Sequence, residues 1–286
     1  MTEGSCCHSA ISGELERLFF YNRKVSLSTL SAPFAPSASR CLEGWDEFDA
    51  YLFDIDGTLL RDPERIHFLA FGQCLREVMG REIPLNGITV HGSTDPAILR
   101  DAFRAADISE SDWTHLEPRI LARLSEIVVA QRATVTMKVM PGVARALDHL
   151  RSRGVALGVA TGNLEAIGWL KLEVAGLRDY FTFGGFSDSY PLRADMIAHA
   201  AALARAHAGA AARVCIVGDT PSDIAAARAN RLPTIAVATG IFSVDQLAEH
   251  NPFCCVPTLE ALLAPPGGVP PSSSPLIGPV DDARQK

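Results

Sequence analysis

The stretch Ala50-Tyr51-Leu52-Phe53-Asp54-Ile55-Asp56-Gly57-Thr58-Leu59-Leu60 decides the fold. Four apolar or aromatic residues run straight into two aspartates. The run is short, β-rich and not alternating, as expected of a strand buried on both faces of a parallel sheet. Strand residues two apart share a face, so Asp54 and Asp56 can point into one pocket. Gly57 permits a backbone conformation that other residues resist. Two carboxylates about 4 Å apart repel by roughly 4 kcal/mol at an effective dielectric near 20. They stay together only if one is protonated or a cation lies between them.

Outward from this stretch the pattern repeats. Apolar runs stand at Val155–Ala160, Val214–Val217 and Thr234–Ala238, with a weaker one at Cys254–Val256. Helical patterns lie between them at Val143–Arg153, Glu165–Val174 and Ala194–His207, and Ser222 is expected to cap a further helix ending near Asn230. Alternating strands and helices predict an α/β fold, a doubly wound parallel sheet with its site at the carboxyl ends of the strands. One block breaks the rhythm. Between residues 62 and 136 the patterns are helical (Ile66–Met79, Ala97–Ala106, Leu116–Gln131), which predicts a small helical domain inserted after the first strand. The core is then residues 46–61 and 137–264.

The ends read differently. Residues 1–45 carry a Ser/Ala/Pro-rich stretch and lack the apolar centre of a signal peptide, so they are expected to form a partly disordered extension. Residues 265–286, rich in Pro, Gly and Ser, are expected to be a disordered tail.

Composition narrows the function. The 286 residues hold 26 Lys+Arg against 33 Asp+Glu, a net charge of −7. An acidic chain without a basic patch disfavours a nucleic-acid partner. No apolar run approaches a membrane span. Seven cysteines, odd in number and without C-x-x-C, suggest reduced thiols in a cytoplasmic protein instead of a disulfide framework or zinc site.

Two further strand ends carry polar groups. Ala160-Thr161-Gly162-Asn163 offers a hydroxyl and backbone N–H groups suited to an anion. Gly218-Asp219-Thr220-Pro221-Ser222-Asp223 places acids after a buried strand. Helix capping and dipole charge explain Asp223 adequately, but not Asp219. Asp219 and Asp223 could hold a hard divalent cation together with Asp54.

Taken in order, F-D-I-D-G-T-L-L, A-T-G-N and G-D-T-P-S-D resemble the haloacid dehalogenase-like (HAD) hydrolase superfamily over roughly residues 48–263. The look is that of phosphoglycolate phosphatase-like members with a helical cap. His91-Gly92-Ser93-Thr94-Asp95-Pro96 resembles a cap segment of such proteins. The resemblance implies Asp54 as nucleophile forming an aspartyl-phosphate and Asp56 as general acid and base. It implies Mg²⁺ on Asp54, the main-chain carbonyl of Asp56 and Asp219, with Asp223 supporting. Thr161 would bind phosphoryl oxygens, with Gly57, Gly162 and Asn163 around them, and His91, Thr94 and Asp95 would face substrate from the cap.

One element departs from the pattern. The family places a lysine, or sometimes an arginine, between the second and third strand ends to clamp nucleophile and phosphate. Lys171 is the only lysine there, but it falls inside a predicted helix. Arg193, just before a helix and able to bridge two oxygens, is the better candidate. The absence of any lysine between residues 62 and 137 excludes a cap Schiff base of the phosphonatase type. Asp56 favours phosphate esters over halides, because halide leaves unprotonated. Arg65, Arg76, Arg100 and Arg104 read as solvated helix faces. The expected activity is Mg²⁺-dependent hydrolysis of a small phosphorylated metabolite. A phosphomutase using the same aspartates, or a silent binding protein on this scaffold, are the rivals. Monomer and homodimer both stay open.

Overall fold

The structure, a computed structural model, describes residues 44–263. The expectations for the tail and for almost all of the N-terminal extension fall outside these residues. Trp45 belongs to the folded unit: it is buried, and its carbonyl accepts a hydrogen bond from the Tyr51 hydroxyl at 2.8 Å.

Six strands form a parallel sheet in the order β5-β4-β1-β6-β7-β8. They are β1 (Ala50–Phe53), β4 (Ala156–Ala160), β5 (Phe183–Gly185), β6 (Val214–Gly218), β7 (Thr234–Val237) and β8 (Cys254–Val256). A two-stranded antiparallel ribbon, β2 (Leu60–Arg61) with β3 (Lys138–Val139), brackets the insertion. β1 is central and pairs in register with both β4 and β6, so Phe53 lies level with Val159 and Val217. This alignment brings three strand ends to one edge of the sheet.

Both faces of the sheet are covered. Tyr51 and Phe53 pack with Val143, Ala146, Leu147 and Leu150 of α4 (Val143–Ser152). Ala50 and Leu52 pack on the other face against Met196, Ile197, Ala200 and Ala204 of α6 (Arg193–Ala208) and Ala226 and Ala227 of α7 (Pro221–Ala229). The alternation of β1 between the two clusters explains why the run is apolar throughout. α5 (Glu165–Val174) follows β4, and the short α8 (Val244–Ala248) follows β7.

The insertion consists of α1 (Ile66–Met79), α2 (Asp95–Ala105) and α3 (Glu110–Ala130). It has its own apolar cluster around Phe71, Leu75, Leu99, Phe103, Trp113 and Leu124, closed against Leu164, Ile167 and Leu170 near α5. Three local readings need correction. β5 is missed because Phe-Gly-Gly is too short and glycine-rich to read as a strand. α3 begins at Glu110, not 116, because Ser109 caps it by accepting from Asp112 N at 3.1 Å, and the helix tolerates Pro118 inside. α7 is capped by Thr220, with Asp223 completing a capping box, so Ser222 lies inside the helix. Cys254 is disulfide-bonded, which corrects the reading of thiols throughout. Spacing along a chain does not decide cysteine pairing; distance and orientation in space do. Among the described residues no helix is long and apolar enough to cross a membrane.

Candidate active site

The loop after β1 is wound tightly. Leu59 N and Leu60 N both donate to Ile55 O, and Gly57 N donates to Leu60 O at 2.8 Å. Gly57 sits at φ 86°, and a Cβ there would collide with the Asp219 carboxylate. Glycine is therefore required twice over, by backbone and by space. Asp54 N donates to Val217 O at 2.9 Å, which ties the loop to the end of β6.

Asp54, Asp219 and Asp223 are all buried, and one carboxylate oxygen from each lies within 4.8 Å of the others. Burial, with the neighbouring charges of Asp223 and Asp56 adding to it, pushes the Asp54 carboxyl up to about 7 against the pull of Arg193. Burial and then Asp54 and Asp223 hold Asp219 well above the usual carboxylate range. Such a set resists full ionisation unless a cation shares it. The donors are hard oxygens, which suit Mg²⁺. The glycines at 57 and 240 leave the space beside Asp219 clear, since a Cβ at either would strike its Oδ2. The residues present therefore fit a hard divalent cation. The members differ in readiness. Asp219 Oδ1 accepts from the Thr58 hydroxyl at 2.9 Å. Asp223 is occupied on both oxygens: Oδ1 accepts from Arg193 Nε and Nη2 at 3.0 and 2.5 Å, and Oδ2 from Thr220 N and Oγ1 at 3.0 and 2.7 Å.

The structure brings both candidate cations to the site. Arg193 Nη2 is 3.1 Å from Asp54 Oδ1 and bridges it to Asp223. Lys171, passed over as an interior helix residue, is 1% exposed and points inward from α5. Its Nζ donates to Asp56 Oδ2 at 2.6 Å and to Asn163 Oδ1 at 2.8 Å, and meets His67 Nδ1 at 3.0 Å. An ammonium only donates, so Nδ1 is the accepting side of this contact, and the ring's other nitrogen is Nε2. That nitrogen lies 3.2 Å from Asp95 Oδ2, although the geometry falls short of a hydrogen bond. Asn163 Nδ2 also donates to Asp56 Oδ2, at 2.8 Å, and to Thr161 Oγ1, at 2.6 Å. Desolvation opposes the charged form of Asp56, whose side chain is still 44% exposed, but Lys171, with His67 and Asn163, outweighs it and holds the carboxyl below the usual range. Both bonds fall on Oδ2, so Oδ1 is the oxygen offered to the cavity.

The other expected residues divide. Gly162 lines the cavity; its carbonyl accepts from Asp95 N at 2.8 Å, and a Cβ there would strike the Ser93 carbonyl. His91 lines the cavity and is exposed. Asp95 also lines it, but its Oδ2 accepts from Leu164 N at 2.9 Å, so it fastens α2 to the start of α5. Thr94 is not among the described lining residues; its hydroxyl donates to Pro191 O at 2.6 Å and caps α2. Sequence reasoning weighed Lys171 but set it behind Arg193, and it missed His67, Thr58 and Thr239, whose hydroxyl donates to Gly57 O at 2.5 Å. One signal was available: Lys171 is one of four lysines, and it stands between Leu170 and Leu172 on a helix whose interior is apolar. His67 and Thr239 gave none.

The haloacid dehalogenase-like hydrolase family matches residues 48–230. The chain is 32% identical over 222 residues to the "Probable phosphatase IndB" of Dickeya dadantii, covering 74% of this chain and 90% of that protein. It is 31% identical over 209 residues to a phosphoglycolate phosphatase of Cereibacter sphaeroides, covering 71% and 91%. The crystal structure of a predicted phosphatase from Clostridium acetobutylicum superposes with a TM-score of 0.58 at 22% identity, covering 75% of this chain and 96% of that one. That likeness concerns the fold.

Proposed function

Since the chain belongs to the haloacid dehalogenase-like hydrolase family and is a phosphatase by its relatives, we propose that it hydrolyses a small-metabolite phosphomonoester, with Mg²⁺, through a phosphorylated Asp54. The observation that carries this reading is the convergence of Asp54, Asp219 and Asp223 from two strand ends, beside Asp56 and two buried cations.

Asp54 Oδ attacks phosphorus; the ester P–O bond breaks, and the leaving oxygen takes a proton from Asp56. Water deprotonated by Asp56 then attacks phosphorus, the bond to Asp54 breaks, and inorganic phosphate leaves. Lys171 favours ionised Asp56, which suits the second step. For the first, the proton belongs to the Asp56–Lys171 pair, held at 2.6 Å. Arg193 orients Asp54 and meets phosphoryl charge, and Thr161 and the N–H groups that follow it receive phosphoryl oxygens. Asp54, Asp219 and the Asp56 main-chain carbonyl would hold Mg²⁺, with Asp223 fixing Arg193 behind them. When bound, the ion offsets the repulsion between these carboxylates and a dianionic phosphoryl group. The helical insertion serves as a cap that excludes bulk water during turnover.

The test is a panel of metabolite phosphomonoesters with the purified full chain and Mg²⁺. Steady phosphate release, lost on chelation, with transient labelling of Asp54 by acid quench and mass spectrometry, is expected. Folded, Mg²⁺-supplied protein that releases phosphate from no ester would overturn the reading.

A further inference from the structure

We infer that the substrate's leaving group carries an apolar or flat aromatic body much larger than a two-carbon acid; this rests on the phosphatase reading of the same cavity. The cavity measures about 950 Å³. That is near the top of the ~300–1,000 Å³ range that encloses drug-sized ligands, and far beyond the needs of a phosphoryl group on a two-carbon fragment. Its two sides differ in chemistry. The strand ends supply the carboxylates, Arg193, Lys171 and Thr161. The insertion supplies Phe68 and Phe71 of α1, Ile98 of α2, and Ile88 and Val90 of the loop between them, while Ile241 stands at the rim, 60% exposed. A substrate tethered by its phosphoryl group to the strand ends projects its leaving group against this apolar wall.

Among the described lining residues no buried cation is left without a carboxylate to meet a second anionic group; Arg61, Arg65 and His91, which also line the cavity, are exposed to solvent. Lys171 and Arg193 already neutralise core carboxylates. Arg61 Nη2 donates to Thr239 O at 3.1 Å. The one arginine that the insertion brings to the described lining, Arg65, rests its guanidinium 4.3 Å from the centre of the Phe68 ring. His67 is committed to Lys171, and Asp62 and Asp95 on the same side repel a carboxylate. The relatives named phosphoglycolate phosphatase act, by name, on a two-carbon acid; the wall of this chain favours a neutral, apolar body.

The experiment compares kcat/KM for 2-phenylethyl phosphate, ethyl phosphate and phosphoglycolate, with acetyl phosphate as a small activated reference. The protein is the purified full chain with Mg²⁺. Phenylethanol and ethanol are similar leaving groups, so their ratio reports the wall alone. The expected preference for phenylethyl over ethyl phosphate is at least about tenfold, as apolar pockets discriminate by about 10–200-fold for one methylene. Phosphoglycolate should rank with ethyl phosphate or below. Phe68→Ser should lower the phenylethyl-to-ethyl ratio about fivefold or more, and Ile241→Ser, at an exposed position that does not threaten folding, should lower it less. A ratio near one, or a ratio that neither variant moves, overturns the inference while acetyl phosphate turnover leaves the phosphatase reading standing. If acetyl phosphate is not hydrolysed either, the phosphatase reading falls and takes this one with it.

Discussion

At the strand ends, the charged groups are held by directed bonds. Asp223 accepts from Arg193 and Thr220, Asp56 from Lys171 and Asn163, and Asp219 from Thr58. Across the cavity, Phe68, Ile88 and Val90 present half-buried apolar surface. The first wall is preorganised, and the loss of one atom there leaves a buried partner unsatisfied. The second is shaped by volume, which tolerates conservative exchange. Substitutions at the strand ends should therefore strike the chemical step, and those on the insertion should strike the choice of substrate.

The largest expected effect is at Asp54. Asp54→Asn should remove turnover by about 10⁴-fold or more, since residues that act with a nucleophile lose most of catalysis together. The fold should survive, because Asn can still accept from Arg193 at the same position. Circular dichroism and phosphate release on the same sample check both halves, and retained turnover removes Asp54 from its role.

Lys171 sharpens the comparison, because it reaches the strand-end wall from inside a helix. Lys171→Met should lower kcat by roughly 10²-fold, within the range of general acid–base contributions. Lys171 holds the Asp56 carboxyl low, so its removal should move the acid limb of the kcat profile, where phosphoenzyme hydrolysis by ionised Asp56 limits turnover, to higher pH. Lys171→Arg should restore part of the loss. A uniform drop with an unmoved profile would reduce Lys171 to a packing role.

The third effect is on stability. In metal-free protein the Asp54 carboxyl is pushed up to about 7, chiefly by burial. A carboxyl raised on folding contributes stability that is complete below its unfolded value, about 3.9, and is lost as pH rises through the folded value. The Tm of chelated protein should fall between about pH 4 and 7 through this carboxyl. Added Mg²⁺ should raise Tm more at the higher pH, by several degrees at a hundredfold excess over Kd, which is worth about 2.7 kcal/mol. A Tm of chelated protein that rises over this window, or a Mg²⁺ effect that shrinks, would contradict the shared-ion reading.

The two walls also differ in how far they can be read from sequence. Phe53-Asp54-Ile55-Asp56, Thr161 and Asp219 announce themselves because a buried strand leaves period and composition behind, and because polar residues at its end have little other business there. The roles of Lys171 and His67 depend on one side chain of α1 and one of α5 meeting, a contact between residues 104 positions apart. Thr94 reads like a site residue, yet its hydroxyl goes to Pro191 O, 97 positions away. The apolar wall was silent for a simpler reason: Phe68 follows the same helical periodicity as the buried Phe71 and Ile98, and sequence does not say which apolar positions stop short of full cover.

The smallest effect separates two neighbouring hydroxyls on the strand-end side. Ser222 looks like the cap of α7, but Thr220 accepts from Asp223 N at 3.3 Å and donates to Asp223 Oδ2 at 2.7 Å. Thr220→Ala should cost about 1 kcal/mol, the usual worth of a cap, or roughly 2–4 °C of Tm. Ser222→Ala should stay within about 0.5 kcal/mol, as expected for a site away from such features. Because Asp223 also anchors Arg193, Thr220→Ala should lower kcat as well, whereas a cap on a helix of the insertion, Ser109→Ala on α3, should cost similar stability with kcat unchanged. Equal effects of Thr220→Ala and Ser109→Ala on kcat would mean that strand-end hydrogen bonding is not what orients the nucleophile.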